Sequence, residues 1–348
     1  MLNHSCWEIQ FKLDVEKIMV AEQDIYQRLL IRAAGKAQRK TDKKRHDCLF
    51  PGCNKTAISS HSQQRKGQLQ AISHNGHVYA VEKNLYRNLK KNTKNDFSRF
   101  SLFPTSTATT FPGFCPAHDS NVFRPIEKNG LTIGDPEQSL LLFLRAHAFE
   151  HLQKKRVFIW QTHFLNDVGN FLNPEVFEMY RLRMIGIRQY LEMDSPYYFN
   201  ILFNALKNKQ FDVIQSTWVV IPKNIMISSS CCMSPLMTKH TEYMENNHEK
   251  IQPSVTFSVI PNSKMTHVVT SWLNEHDDIS NWFKDAVTDS IELELLINQC
   301  AFGETEDTCI SPVLWDSLSA TDKEMVTRAV AFTRKLETPA PLPTIIKL

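Results

Sequence analysis

Phe11, Val15, Ile18, Ile25 and Leu29 recur at helical spacing, which predicts a long amphipathic helix over residues 7–36 that serves as a packing element. Lys36 to Arg45 is too polar to bury and reads as a linker or as a charged extension of that helix. From Cys48 to Glu127 the pattern changes to short apolar runs broken by Gly, Asn, Ser and Pro, the texture of a small β-containing module with little core of its own. Its best strand is His77-Val78-Tyr79-Ala80-Val81, with a hairpin turn before it at Ser73-His74-Asn75-Gly76. Thr105 to Pro112 reads as a polar loop, and Pro116 suits the first turn of a short helix that follows Cys115.

Asp135-Pro136-Glu137-Gln138 combines an N-cap acid, proline at the first helical position and Gln three residues after the cap, so a helix and a domain boundary are expected near residue 130. Leu140, Phe143, Leu144, His147 and Ala148 trace one face of that helix, and helical patterning continues through Lys207. The β-rich runs Val213-Ile214, Trp218 to Ile221, Val255 to Ile260 and His267 to Thr270 then predict a small sheet packed on helices. Helices are expected again over 279–300 and 312–336, ahead of an extended, mobile Pro-rich tail. The expected division is a helix and basic linker (1–46), a metal-stapled module (47–130), a helical region (131–210), a mixed α/β region (211–337) and the tail (338–348), an α+β chain in fold class.

Charge changes this picture at one place. The net charge is only +3, yet residues 31–100 carry 16 Lys and Arg against four Asp and Glu, which leaves the remainder acidic. Such a segment is either a solvated linker or a face for a polyanion such as DNA or RNA, because Lys and Arg release counterions from a phosphate backbone. The N-terminal residues lack a basic segment leading into an apolar stretch, which predicts a cytoplasmic protein with reduced cysteines; no apolar run is long enough for a membrane span.

Reduced cysteines at close spacing point to metal. In Cys48-Leu49-Phe50-Pro51-Gly52-Cys53 a Pro-Gly turn directs two thiols to one side, and Cys115-x2-His118 offers a second pair one helical turn apart. Zinc takes four such S and N donors in a tetrahedron, so Cys48, Cys53, Cys115 and His118 are the predicted structural zinc ligands, with His61 the alternative fourth. The competing reading is ordinary buried thiols beside a surface histidine.

The order Cys-x4-Cys, Ala57 to Ser62 around His61, Gly76-His77-Val78 and Phe114-Cys115-x2-His118-Asp119 resembles a degenerate HNH endonuclease module of the His-Me finger type. The chain is similar as well to bacterial proteins that carry the same order of Cys, Ser-His and Phe-Cys-x2-His-Asp, a similarity that implies no activity. The HNH resemblance implies His61 as the general base, Asn75 as the central asparagine and Asp119 as a helix-borne ligand of a second, catalytic Mg2+ or Mn2+ ion. Ser60 departs from that family, which places an acid or a second histidine there. A nucleic-acid-binding zinc protein with HNH-like endonuclease activity is therefore one expectation, and a non-catalytic zinc-knuckle scaffold or binding module for protein or nucleic acid is the other.

Two further motifs carry a bland reading. His147-Ala148-Phe149-Glu150-His151 matches the H-x-x-E-H pattern of zinc peptidases but lacks a third ligand, so an ordinary helix with a partly buried histidine is expected; adjacent Cys231 and Cys232 read as buried thiols. Walker loops, dinucleotide fingerprints and nucleophile elbows are absent from the sequence.

Overall fold

The computed structural model describes residues 23–92, 99–128, 130–234, 250–276, 287–331 and 345–348. Phe11, Val15 and Ile18 of the expected first helix lie outside these residues. Its described part is α1 (Gln23–Asp42), which continues into the basic run as a charged helix extension, one of the two readings expected for it. The extension is favourable because Leu30, Ala33, Ala34 and Ala37 form a buried stripe while the charged residues occupy the opposite, exposed face.

After α1 come β1 (Ser59–His61), β2 (His77–Val81), α2 (Leu85–Asn92), β3 (Phe100–Pro104), β4 (Thr110–Pro112), α3 (Pro116–Val122) and α4 (Arg124–Lys128). The turn into β2 is Asn75-Gly76, both at positive φ, closed by reciprocal hydrogen bonds between His74 and His77. Three long helices follow, α5 (Pro136–Val168), α6 (Pro174–Gln189) and α7 (Ser195–Asn208), and Asp135 caps α5 by accepting the Gln138 N–H. The last part comprises β5 (Ile214–Ile221), β6 (Ile227–Met233), β7 (Val255–Pro261), β8 (Thr266–Leu273), α8 (Ser290–Gly303), β9 (Thr308–Ile310), α9 (Pro312–Ser317) and α10 (Ala320–Ala331).

The expected helix over 312–336 is interrupted at Leu318, which is extended. Ser319 and Asp322 then exchange hydrogen bonds as a capping pair that starts α10 afresh. The described end of the chain is not loose: Ile346 is buried, and the Ile345 and Ile346 N–H groups donate to Asn298 on α8.

Seven strands form one antiparallel sheet in the order β3-β2-β9-β6-β7-β8-β5, and β1 pairs separately with β4. The segments read from the sequence as a metal-stapled module and a distant mixed region thus share a sheet, joined where Tyr79 and Ala80 pair with Ile310 and Cys309. Alternation sends successive side chains to opposite faces. Val259 and Val268 pack with Ile297, Phe302, Trp315 and Val326 on one side, whereas Ile260 and Val269 meet Phe143, Leu144 and Tyr198 of α5 and α7 on the other. The second core extends without a break to Cys48, Phe114, Cys115 and Phe123. Among the described residues, no helix is long and apolar enough to cross a membrane.

Candidate metal centre

Residues 47–56 form a hairpin loop closed by the Asp47–Thr56 bridge and by the Cys48 N–H donating to the Lys55 carbonyl at 2.9 Å. Inside it, Cys53 N–H donates to Phe50 O at 3.1 Å, with Pro51 at the second position and Gly52 at φ +73°, the arrangement of a type II turn. The turn brings both thiols to one side. Leu49 and Ile58 then donate to the Gly113 and Phe114 carbonyls, which fixes the loop against the strand leading to Cys115. A Cβ at Gly113 would sit 2.4 Å from the Phe111 ring, so glycine there leaves room for that buried ring.

Cys115 is the N-cap of α3, Pro116 fills the first turn, and Asp119 N–H donates to Cys115 O. Cys115 and His118 therefore face the same side. The donor atoms of Cys48, Cys53, Cys115 and His118 all lie within 4.8 Å of one another. His118 Nδ1 is 3.4 Å from the sulfurs of both Cys48 and Cys115, and the Cys53 and Cys115 sulfurs are 3.9 Å apart. Zn–S and Zn–N bonds of about 2.3 and 2.0 Å at tetrahedral angles give edges of roughly 3.8 Å between sulfurs and 3.5 Å between sulfur and nitrogen. The donors thus have both the chemistry and the spacing to hold a metal ion, with His118 and not His61 as the fourth.

Phe50 stacks on the His118 imidazole with centroids 3.9 Å apart and meets Phe203 of α7 edge-on, so the loop's own aromatic residue orients the ligand. Burial pushes the Cys48 thiol up to about 11, and the backbone N–H of His118 holds the Cys115 thiol below its usual value. A thiolate at Cys48 therefore needs a compensating cation.

His61 ends β1, where Nδ1 lies 3.2 Å from Thr109 Oγ1; burial, then Arg65 and Arg145, hold its pKa below the ordinary value. Asp119 is on α3, one residue after the ligand His118, and burial raises its pKa against the opposing influence of Ser60 and Arg145. His61 and Asp119 thus share the surroundings of Arg145 and Glu127. Asn75 belongs to the turn before β2, with its carbonyl accepting from His77 Nδ1 at 2.8 Å, and it is not among the groups acting on the other two.

Arg145 is the residue that sequence reasoning missed. Its guanidinium is almost wholly buried, pairs with Glu127 at 2.6 Å and lies over the Phe123 ring. A lone arginine in the apolar run Leu140 to Phe149 was the available signal, because such a charge must find a partner inside. A second grouping also joins residues far apart in sequence. Lys36, Lys40 and Lys44 act on His163, while Lys44, Lys155 and Arg156 act on His46, so the end of α1 and the middle of α5 form one basic surface.

His147 is wholly buried on α5, with Nε2 near the Ser195 hydroxyl (3.2 Å) and carbonyl (3.3 Å) and Nδ1 3.4 Å from Tyr190 Oη. His151 Nδ1 lies 2.8 Å from the same hydroxyl, and the two histidines are structural parts of the α5–α7 contact. Cys231 and Cys232 are buried thiols. Comparison with known proteins finds no matching family model, no matching curated protein and no matching solved structure.

Proposed function

We propose that the chain is a zinc protein that binds nucleic acid, in which Cys48, Cys53, Cys115 and His118 hold a structural Zn2+. The observation that carries the zinc assignment is the donor set itself, three thiols and one imidazole at the edge lengths of a zinc tetrahedron; the excess of Lys and Arg over residues 31–100 supports the nucleic-acid part. When bound, the ion supplies charge compensation for the thiolates and contributes on the order of 10 kcal/mol to folding. The chain's residues do the rest. The hairpin loop starts at Asp47, five residues after α1 ends at Asp42, so a staple between this loop and α3 fixes the end of a basic helix to the central core.

The HNH-like nuclease is the second reading, and one feature favours it: His61 on β1, its partner β4 and Asp119 on α3 follow in the order that resemblance implies, with shared neighbours. The charge around them favours the first. Arg145 already brings a permanent positive charge to Asp119 and Glu127, where a catalytic Mg2+ or Mn2+ would be repelled and would compete for the same carboxylates. The expected result is salt-sensitive binding of DNA or RNA by the zinc-loaded protein, with the strands left intact in Mg2+ or Mn2+. Cleavage abolished by His61→Ala with zinc retained would establish the nuclease instead, and loss of zinc with unchanged folding would remove the structural role.

A further inference from the structure

The basic segment does not form one face. Arg28, Arg32, Lys36, Arg39 and Lys43 follow one another at steps of three or four residues and are all exposed, so they form a continuous stripe along α1 opposite its buried alanines. α1 lies antiparallel on α5, as the contacts Tyr26–Phe171, Lys36–Asp167, Trp160–Ala34 and Arg156–Asp42 require. This alignment pairs Arg156 of α5 with Asp42 at 3.2 Å and so brings its neighbour Lys155 to the end of α1, although the sequence places it more than 100 residues away. Lys55, Arg65 and Lys66, which belong to the basic segment by sequence, lie on other elements.

We infer that the nucleic-acid site is this two-helix ridge, and that its partner is the backbone of a duplex. The inference rests on the nucleic-acid reading of function and adds where and what the protein grips. The stripe rises about 22 Å from Arg28 to Lys43 at 1.5 Å per residue. That length spans about six phosphates of one duplex strand at 3.4 Å per step. Residues 28–45 contain no aromatic side chain, so the stripe on α1 offers no stacking platform of the kind with which proteins hold unpaired bases. An anionic membrane is disfavoured because the apolar face of α1 is spent against α5 and α2 and cannot enter lipid.

The test uses the full zinc-loaded chain and fluorescence anisotropy with a 20-base-pair duplex at several salt concentrations. Arg39→Glu with Lys43→Glu is expected to weaken binding at least tenfold and to lower the salt slope by about 2; Lys155→Glu is expected to lower it by about 1, at roughly 0.9 per phosphate contact. Arg65→Glu with Lys66→Glu should stay within twofold of wild type. Glutamine versions of the ridge variants, with unchanged zinc content and thermal midpoint, separate lost contacts from lost folding. If the duplex binds but the ridge variants bind equally well, or if only the Arg65 and Lys66 pair weakens it, the ridge is overturned while the functional reading stands. Failure of the wild type to bind any duplex, or preference for a single strand or for phosphatidylserine vesicles, overturns it as well.

Discussion

His118 reaches two sulfurs at once because α3 begins at Cys115 and because Phe50 stacks on its ring, so the fourth donor is held before any ion arrives. Such preorganisation makes each ligand costly to lose. Cys115→Ser is expected to release the metal and expose residues 47–122 to hydrogen exchange, while His61→Ala retains it; mass-spectrometric exchange with metal analysis measures both. His147 and His151 behave differently. Burial lowers their pKa values to about 3 and about 4, from an ordinary value of 6.5. Both are neutral in the folded chain where the unfolded chain would be protonated, so their contribution is complete above pH 6.5 and is lost as pH falls toward 4. The loss should reach a few kcal/mol in all. Urea midpoints between pH 7 and 4.5 should fall less steeply for His151→Gln than for wild type, a comparison in which acid release of the metal is common to both proteins. The four metal donors were legible in the sequence because a Pro-Gly turn and an i, i+3 pair are local signals. Phe50 and Arg145 were less so, since their partners Phe203 and Glu127 come from other elements.

At the level of elements, the helices were mostly readable from their periodicity and caps, and the strands were readable only where β-branched residues dominate. β5, β7 and β8 follow the expected runs, with Val213-Ile214 and Trp218 to Ile221 merging into one strand. β6 was missed because Ile227-Ser228-Ser229-Ser230-Cys231-Cys232-Met233 has weak strand preference, yet it lies between β7 and β9 with every residue buried. Its hydroxyls are accommodated by partners such as Thr308 Oγ1, 2.9 Å from Ser229 Oγ, which no local pattern announces. β9, three residues long, carries too little pattern to be seen at all. α5 and α4 are joined through Arg145 and Glu127. Arg145→Ala should cost about 1–3 kcal/mol by uncovering Phe123 and removing the charged hydrogen bond to the one-third-exposed Glu127. Chemical denaturation measures it, and Glu127→Gln is expected to cost more because it leaves the buried guanidinium without its main counter-charge.

The whole molecule is welded by its sheet. Among the described residues, β2 and β3 occupy one edge and connect to the other strands of the sheet through β9, so the segment expected as a separate module at 47–130 leans on residues 308–310 and on α5. The sequence suggested a division near residue 130 because the Asp135 cap is a strong local start signal, and pairing across more than 200 residues leaves no comparable trace. A fragment of residues 23–130 is expected to give a poorly dispersed NMR spectrum even with zinc present, whereas an independently folded module would give a resolved one. The metal proposed at Cys48, Cys53, Cys115 and His118 would tie this N-terminal part to the core. X-ray absorption at the zinc edge of the purified full-length protein tests it most directly: three sulfurs at about 2.3 Å and one nitrogen at about 2.0 Å are predicted, and protein without stoichiometric zinc, or zinc in a shell of oxygen and nitrogen alone, would contradict it.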